Sequence, residues 1–175
     1  RRGALEFDLS LVISNRPQAG GLTRAQNAGI ATHCLPSQGI SDRAAYDRTL
    51  AAELDRLTPD LIILAGFMRI PSLLPLYPGL HTHARALAAG DREHGCTVHF
   101  VTEELDGGPR ILQGRVPVCP GDDPNALAAR VLRIEHQIYP RAANLFASGR
   151  IRYHEGQCLL DDEVLREPLQ YPDSQ

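Results

Sequence analysis

Residues 94–109 read HGCTVHFVTEELDGGP. The alternation of apolar and other side chains over residues 96–102 predicts a half-buried strand. This strand runs into an acidic turn that ends in Gly107-Gly108-Pro109. Paired glycines let a backbone approach a ligand closely, because they carry no side chain. Open α/β sheets bind their ligands at the carboxyl ends of their strands, so the turn is a candidate site.

Asp106 and His99 are the side chains of this stretch that suit catalysis. An aspartate near a histidine can raise the pKa of the imidazole and orient the ring, which favours proton transfer. The residues alone leave a second interpretation open, because Asp-Gly pairs are common in ordinary loops. On that interpretation Asp106 belongs to a plain acidic turn, and glycine supplies only its geometry.

The sequence before this stretch alternates predicted strands and helices. Two short β-prone stretches, residues 7–13 and 30–35, flank a short helix over residues 22–28. A longer helix begins at Ser41-Asp42, where both residues suit the N-cap position. Residues 61–67, LIILAGF, form a near-continuous apolar run, which is typical of a strand buried on both faces of a parallel sheet. This order of elements predicts a doubly wound α/β fold.

The sequence after the acidic turn predicts one more strand, a long helix and a hairpin. The strand covers residues 110–118, and the helix follows from Asp123-Pro124 with an apolar face. We expect Pro140 to break this helix, because proline removes a backbone donor from a helix interior. The stretches IRYH and QCLL predict a small hairpin near the end of the chain.

One domain over residues 1–175 is the expected organisation, with two irregularities. No first strand and no Gly-rich turn precede the strand of residues 7–13. The apolar run of residues 61–67 also continues through Ile70 directly into Pro71, with no room for the crossover that a parallel neighbour needs. Both irregularities indicate segments that are absent from the sequence as it stands.

Composition excludes several classes of protein. The formal net charge of -3 and the scattered basic residues give no reason to expect nucleic acid or an anionic membrane as a partner. No apolar run is long enough to cross a bilayer, and the first residues do not resemble a signal peptide. The four cysteines are widely spaced, as expected for reduced thiols of a cytoplasmic protein.

Three further groups of residues have both a functional and an ordinary interpretation. His81 and His83 suggest a metal site, but no third ligand stands at a diagnostic spacing, so we expect no metal. Arg69 is either an anion contact or a surface residue whose stem covers apolar atoms. Glu135 lies on the long amphipathic helix, where a solvated polar face would explain it equally well.

Seven segments together resemble the glycinamide ribonucleotide formyltransferase family, in the order of that family and over almost the whole chain. The LDGGP motif is shared with related enzymes that handle formyl folates, whereas PGLHTH and EHQIYP are more particular to this family. The segments read NAGIATHCLP, SDRAAYDRTLAAEL, PDLIILAGFMRI, PSLLPLYPGLHTHARAL, DREHGCTVHFVTEELDGGPRILQ, VPV and RIEHQIYP.

The resemblance implies a Rossmann-like formyltransferase fold, with three layers and a mostly parallel sheet. It also implies that a formyl group passes from the cosubstrate 10-formyltetrahydrofolate to the amine of glycinamide ribonucleotide, in de novo purine biosynthesis. No metal is implied, and the partners are these two small molecules, for a monomer or a homodimer. The amine attacks the formyl carbon, and a tetrahedral intermediate collapses with the folate nitrogen as the leaving group.

The resemblance further implies the roles of individual residues. Asp106 matches the catalytic aspartate that raises the pKa of a histidine and orders a water. His81 and His99 match histidines that line the cleft. The folate-binding positions are Arg43, Met68, Arg69, Ile70, Thr102, Glu103, Glu104, Leu105 and Asp106. The ribonucleotide-binding positions are Leu132, Arg133, Ile134 and Glu135, and the carboxylate of Glu135 would meet the substrate amine.

The departures from the family pattern concern catalysis. Between Ile70 and Pro71 the sequence lacks a segment as long as a helix and a short strand, which holds the family's catalytic Asn and His. We expect these residues to exist in the protein, because a βαβ sheet cannot lose a core strand. A true deletion would leave a catalytically inactive folate-binding module. The remaining alternative is a formyltetrahydrofolate hydrolase, whose N-terminal regulatory domain has no counterpart here. Methionyl-tRNA formyltransferase needs a C-terminal domain, for which the tail is too short.

Overall fold

The computed structural model describes residues 7–37, 42–65, 82–104 and 107–172. These residues belong to two compact units, one within Asp8–Leu76 and the other within Tyr77–Gln175, to which Phe7 also belongs. The expectation that the whole chain forms one domain stays a prediction. In the part of the chain that the structure describes, no helix is long and apolar enough to cross a membrane.

The first unit contains a parallel strand–helix–strand arrangement. Strand β1 (Val12–Ser14) pairs in parallel with β2 (Thr32–Cys34), and helix α1 (Gly20–Asn27) connects them. Leu22 and Ala25 are buried on α1. Gly29 follows the helix with φ of +74°, a conformation that favours glycine. The predicted helix and the second strand are therefore confirmed, whereas only residues 12–13 of the first predicted strand, 7–13, belong to β1.

Helix α2 (Arg43–Leu57) begins where the sequence predicts it. The side chain of Asp42 accepts a hydrogen bond from the backbone N–H of Ala45 at 3.0 Å, which satisfies one unpaired donor at the helix start. Tyr46 is 4% exposed, and its hydroxyl donates to the carbonyl oxygen of Leu35 at 3.0 Å. His33 Nδ1 lies 3.0 Å from Glu53 Oε1, so two polar contacts join α2 to the chain around β2.

Residues 61–65 do not form the buried strand that their apolar run predicts. They carry no strand assignment, and the side chains of Ile62 and Ile63 are 51% and 39% exposed. A strand exists only where a neighbour accepts and donates its backbone hydrogen bonds. Among the described residues no strand pairs with residues 61–65, although Leu61 and Leu64 are half-buried. The prediction is wrong for these five residues, and residues 66–67 lie outside the described part.

The second unit contains a mixed sheet and a small antiparallel sheet. In the mixed sheet β3 (Glu93–His99) runs antiparallel to β4 (Arg110–Pro117), which pairs in parallel with β8 (Leu169–Tyr171). The antiparallel sheet has the order β5 (Ile151–His154), β6 (Gln157–Leu160) and β7 (Glu163–Val164). The predicted terminal hairpin is thus confirmed as β5 and β6. Helices α3 (Thr82–Ala89) and α4 (Pro124–Ala147) complete the unit.

Helix α4 packs against the sheet through a glycine. A Cβ atom on Gly114 would lie 2.1 Å from Ile134 Cγ2, so the strand approaches the helix more closely than any side chain would permit. The core of the unit comprises two buried clusters on which α4 packs. One cluster includes Ile111, Leu112, Ile138, Ala142, Ile151 and Cys158, and the other Ala86, Val116, Leu127 and Val131.

Helix α4 continues through Pro140, contrary to the prediction that this residue breaks it. The helix begins as expected, with Asp123 accepting from the N–H of Ala126 at 2.7 Å. Ile138 before the proline and Ala142 after it are both buried in the same cluster. Proline costs an interior helix about 3 kcal/mol, and burying one large aliphatic side chain contributes about 1.5–3 kcal/mol. Packing on both sides therefore offsets the lost backbone bond.

Candidate active site

The turn after β3 is closed by backbone contacts at its two ends. The N–H of Phe100 donates to the carbonyl oxygen of Pro109 at 3.0 Å. A Cβ atom on Gly108 would lie 1.8 Å from the carbonyl oxygen of Phe100, so only glycine fits this position. Inside the turn, the N–H of Gly107 donates to the carbonyl oxygen of Glu104 at 3.2 Å. The residues on both sides of Asp106 are therefore held, whereas Leu105 and Asp106 themselves lie outside the described residues.

His99 is oriented by the same turn. Its Nδ1 atom lies 2.8 Å from the carbonyl oxygen of Phe100. Because a carbonyl only accepts hydrogen bonds, Nδ1 must carry the proton in this contact. A neutral His99 then has its lone pair on Nε2. The sequence predicts His99 as a cleft-lining residue, and the structure adds its tautomer and the carbonyl that sets it.

The predicted folate-binding residues of the turn differ in exposure. Thr102 is half-buried, and its hydroxyl donates to the carbonyl oxygen of Glu104 at 3.3 Å. Glu103 and Glu104 are exposed. A Cβ atom on Gly107 would lie 2.5 Å from Glu104 Cδ, so the glycine leaves room for that carboxylate. The described part of this acidic loop therefore carries two exposed carboxylates, those of Glu103 and Glu104.

The predicted ribonucleotide-binding residues of α4 point in more than one direction. Leu132 is 48% exposed, and Arg133 is also exposed. Ile134 instead packs against both buried clusters and faces Gly114. Glu135 is half-buried. Four consecutive residues on a helix point in different directions, so some of these side chains face the core and others face the solvent.

The charge of Glu135 affects two neighbouring groups. Burial, and secondly the carboxylate of Glu135, raise the pKa of the Cys96 thiol to about 11, against the opposing effect of a backbone hydrogen bond with Gly114. Burial and Glu135 also raise the pKa of Tyr139, one helical turn further along α4. The thiol therefore stays protonated at neutral pH and does not act as a nucleophile.

His83 on α3 and His94 on β3 form a pair that the sequence did not predict. His94 Nε2 lies 3.1 Å from His83 Nδ1, and the rings meet edge to face with centroids 5.1 Å apart. Burial, and secondly the charge of a protonated His83, lower the pKa of His94, while Asp91 opposes this shift. The sequence shows both histidines but not their contact. Within the described ranges, no three His, Cys, Asp or Glu residues are arranged to hold a metal ion.

The remaining predicted positions are only partly visible. Arg43 is the first residue of α2, directly after the capping Asp42, and nothing is described of its side chain. Met68, Arg69, Ile70 and His81 lie outside the described residues, as do Leu105 and Asp106. The structure thus brings Thr102, Glu103, Glu104 and His99 to one turn. The assignments of the other residues to the site stay predictions.

Comparison with known proteins identifies the architecture. The family described as formyl transferase matches residues 1–70 and 71–143, as two segments that meet where the sequence indicates an absent piece. Phosphoribosylglycinamide formyltransferase of Escherichia coli K12 is 51% identical over 88% of this chain and 81% of that protein. The Haemophilus influenzae protein of the same name is 39% identical over 93% of this chain and 85% of its own length.

A solved structure supports the same assignment. Phosphoribosylglycinamide formyltransferase from Coxiella burnetii superimposes with a TM-score of 0.81 and 44% identity, covering 92% of this chain and 84% of that one. This similarity confirms the predicted Rossmann-like α/β fold. Since a family match over most of the sequence and a 51% identical relative agree, the chain belongs to the formyl transferase family.

Proposed function

We propose that this chain transfers a formyl group to the amine of glycinamide ribonucleotide, as a step of de novo purine biosynthesis. The observation that carries the proposal is the 51% identity with a relative named phosphoribosylglycinamide formyltransferase, over most of both proteins. The family assignment establishes a formyl transferase. The choice of 10-formyltetrahydrofolate as the formyl donor is part of the proposal.

The closed turn after β3 supports a catalytic role for Asp106. Its flanking residues are fixed by the contacts of Phe100 with Pro109 and of Gly107 with Glu104. The Asp106 carboxylate would order a water and raise the pKa of a nearby imidazole, so that the imidazole delivers a proton to the leaving folate nitrogen. The imidazole and the oxyanion donor of this reaction belong to the segment that the sequence lacks between Ile70 and Pro71.

Two groups of residues are proposed to bind the substrates. The backbone of residues 102–106 would contact the pterin, with Arg43, Met68, Arg69 and Ile70 as further folate contacts. The half-buried carboxylate of Glu135 would pair with the substrate amine. We further propose a cytoplasmic protein without a nucleic-acid or membrane partner, which acts as a monomer or a homodimer.

A single experiment tests the reaction. The purified natural protein is incubated with 10-formyltetrahydrofolate, with and without glycinamide ribonucleotide, and the formylated ribonucleotide is detected by mass spectrometry. Formation of this product only when both substrates are present is the expected result. Release of free formate that does not depend on the ribonucleotide would favour the hydrolase alternative instead.

The intact mass of the natural protein tests the absent segments. The sequence as it stands has a mass of 19.2 kDa. We expect a larger mass, because the catalytic Asn and His of the family must be encoded somewhere for the reaction to proceed. A mass of 19.2 kDa together with no turnover would favour the inactive folate-binding module.

A further inference from the structure

We propose that a groove beside the Gly107-Gly108-Pro109 turn binds a small organic anion, at a site separate from formyl transfer. The groove has a volume of about 440 Å³ and lies within the second unit. Three stretches of chain line it, namely residues 107–110, residues 156–158 and residues 164–168 without Glu167. Its size falls in the range of about 300–1,000 Å³ that is typical of small-molecule sites.

The charged side chains among the lining residues are both positive, and the carboxylate of Glu104 lies beside Gly107 at one end of the groove. Arg110 and Arg166 are the charged side chains that line it, and both are exposed. Neither has an ion pair within the described ranges. Other arginines of the same unit are compensated, as in the Arg130–Asp122 and Arg150–Asp161 pairs. Two uncompensated guanidinium groups at one concave surface favour an anion, because their planar donors match phosphate and carboxylate oxygens.

The other residues that line the groove indicate the chemistry of the rest of the ligand. Pro109, Leu165 and Pro168 present apolar surface, and Val164 is 46% exposed in a position to cover an apolar group. Gly156 has positive φ, and no atom would lie within 4 Å of a Cβ atom there, so that backbone is open to a ligand. A compact molecule with one anionic end and an apolar part fits these surfaces.

The groove shares a wall with the candidate active site. Gly107, Gly108 and Pro109 line the groove, and they also close the turn that contains Asp106. A ligand in the groove would therefore contact the backbone directly after the proposed catalytic carboxylate. Binding itself does not depend on formyl transfer, so the proposal can fail or hold independently of the proposed function.

Isothermal titration of the natural protein with two simple probes tests the site. Pyrophosphate represents phosphate ligands, and glutarate represents carboxylates attached to an apolar chain. We expect at least one probe to bind in the millimolar range or tighter, with an affinity that falls as salt is added. Arg110→Gln and Arg166→Gln should each weaken this binding about tenfold, because a charge-assisted contact is lost.

Matched controls are available in the same unit. Arg85 and Arg92 are also exposed and have no ion pair in the described ranges, but they do not line the groove. Arg85→Gln and Arg92→Gln should leave the affinity unchanged, and unfolding curves should show that all four variants are folded. The proposal is overturned if neither probe binds, if the Arg110→Gln, Arg166→Gln double variant binds like wild type, or if the controls weaken binding equally.

Discussion

Replacing Gly108 with alanine would test whether the turn after β3 depends on close backbone contact. The added Cβ atom would lie 1.8 Å from the carbonyl oxygen of Phe100, and 3.4 Å from His99 Nδ1. A Cβ atom and a carbonyl oxygen normally stay more than 3 Å apart, so one of the two backbones must shift by over 1 Å. This shift would break the 3.0 Å hydrogen bond between Phe100 and Pro109 and disturb the 2.8 Å contact that orients His99.

The expected cost follows from these two effects. Overpacking of a close-packed site costs about 1–3 kcal/mol, and the loss of a hydrogen bond about 1 kcal/mol. Gly108→Ala should therefore lower the free energy of unfolding by about 2–4 kcal/mol, and turnover should fall because the backbone of Gly107 and Gly108, directly after Asp106, is displaced. Urea denaturation followed by circular dichroism measures the first quantity, and a formyl transfer assay measures the second.

A matched glycine controls this experiment. Gly21 lies in helix α1, and nothing would lie within 4 Å of a Cβ atom at this position. Gly21→Ala should therefore stabilise the protein by about 0.5–1 kcal/mol, through the higher helix propensity of alanine. If Gly108→Ala unfolds within about 0.5 kcal/mol of wild type, the argument from close contact is refuted.

Three further variants test the proposed site and the ion pair between Asp122 and Arg130. Asp106→Asn in the natural protein should sharply lower turnover but leave folate binding largely intact. Single-turnover kinetics measures the first effect and a binding titration measures the second. Normal turnover across pH would contradict the role of Asp106. Glu135→Ala should weaken ribonucleotide binding more than folate binding, and equal losses would count against a contact with the substrate amine. Arg130, and secondly the N–H of Cys119, lower the pKa of Asp122 to about 2. The stability that the Asp122–Arg130 pair provides is present above about pH 4 and is lost as the pH falls towards 2. Asp122→Asn should therefore flatten the dependence of the free energy of unfolding on pH between these values. An unchanged slope would disprove this role of the pair.

Local signals in the sequence predicted the helix starts well. Asp42 and Asp123 cap α2 and α4 as expected, because a cap depends only on residues within one turn of it. The ends of helices were predicted less well, since we expected Pro140 to end α4. Its tolerance depends on Ile138 and Ala142 meeting partners that are distant in the sequence. A pattern of neighbours along the chain does not contain that information.

The errors in the first unit have the same origin. The apolar run over residues 61–65 has the composition of a buried strand, but strand formation depends on a neighbouring strand that the described residues do not provide. In the second unit, the pair of His83 and His94 joins a helix to a strand. Its 3.1 Å contact therefore could not be predicted from the sequence. Family resemblance supplied the candidate site residues, whose roles stay predictions, whereas the turn geometry around Gly108 required the structure.

The close packing of α4 on Gly114 makes this helix intolerant of changes in length. Its inward face holds Leu127, Val131 and Ile138 in the core, and the half-buried Glu135 lies at the edge of that face. One inserted or deleted residue would rotate all later side chains of α4 by about 100° around the helix axis, because an α-helix has 3.6 residues per turn. Such a change before Glu135 would move its carboxylate and expose Ile138 at once. Variation in the length of homologous chains should therefore be confined to the loops that flank α4.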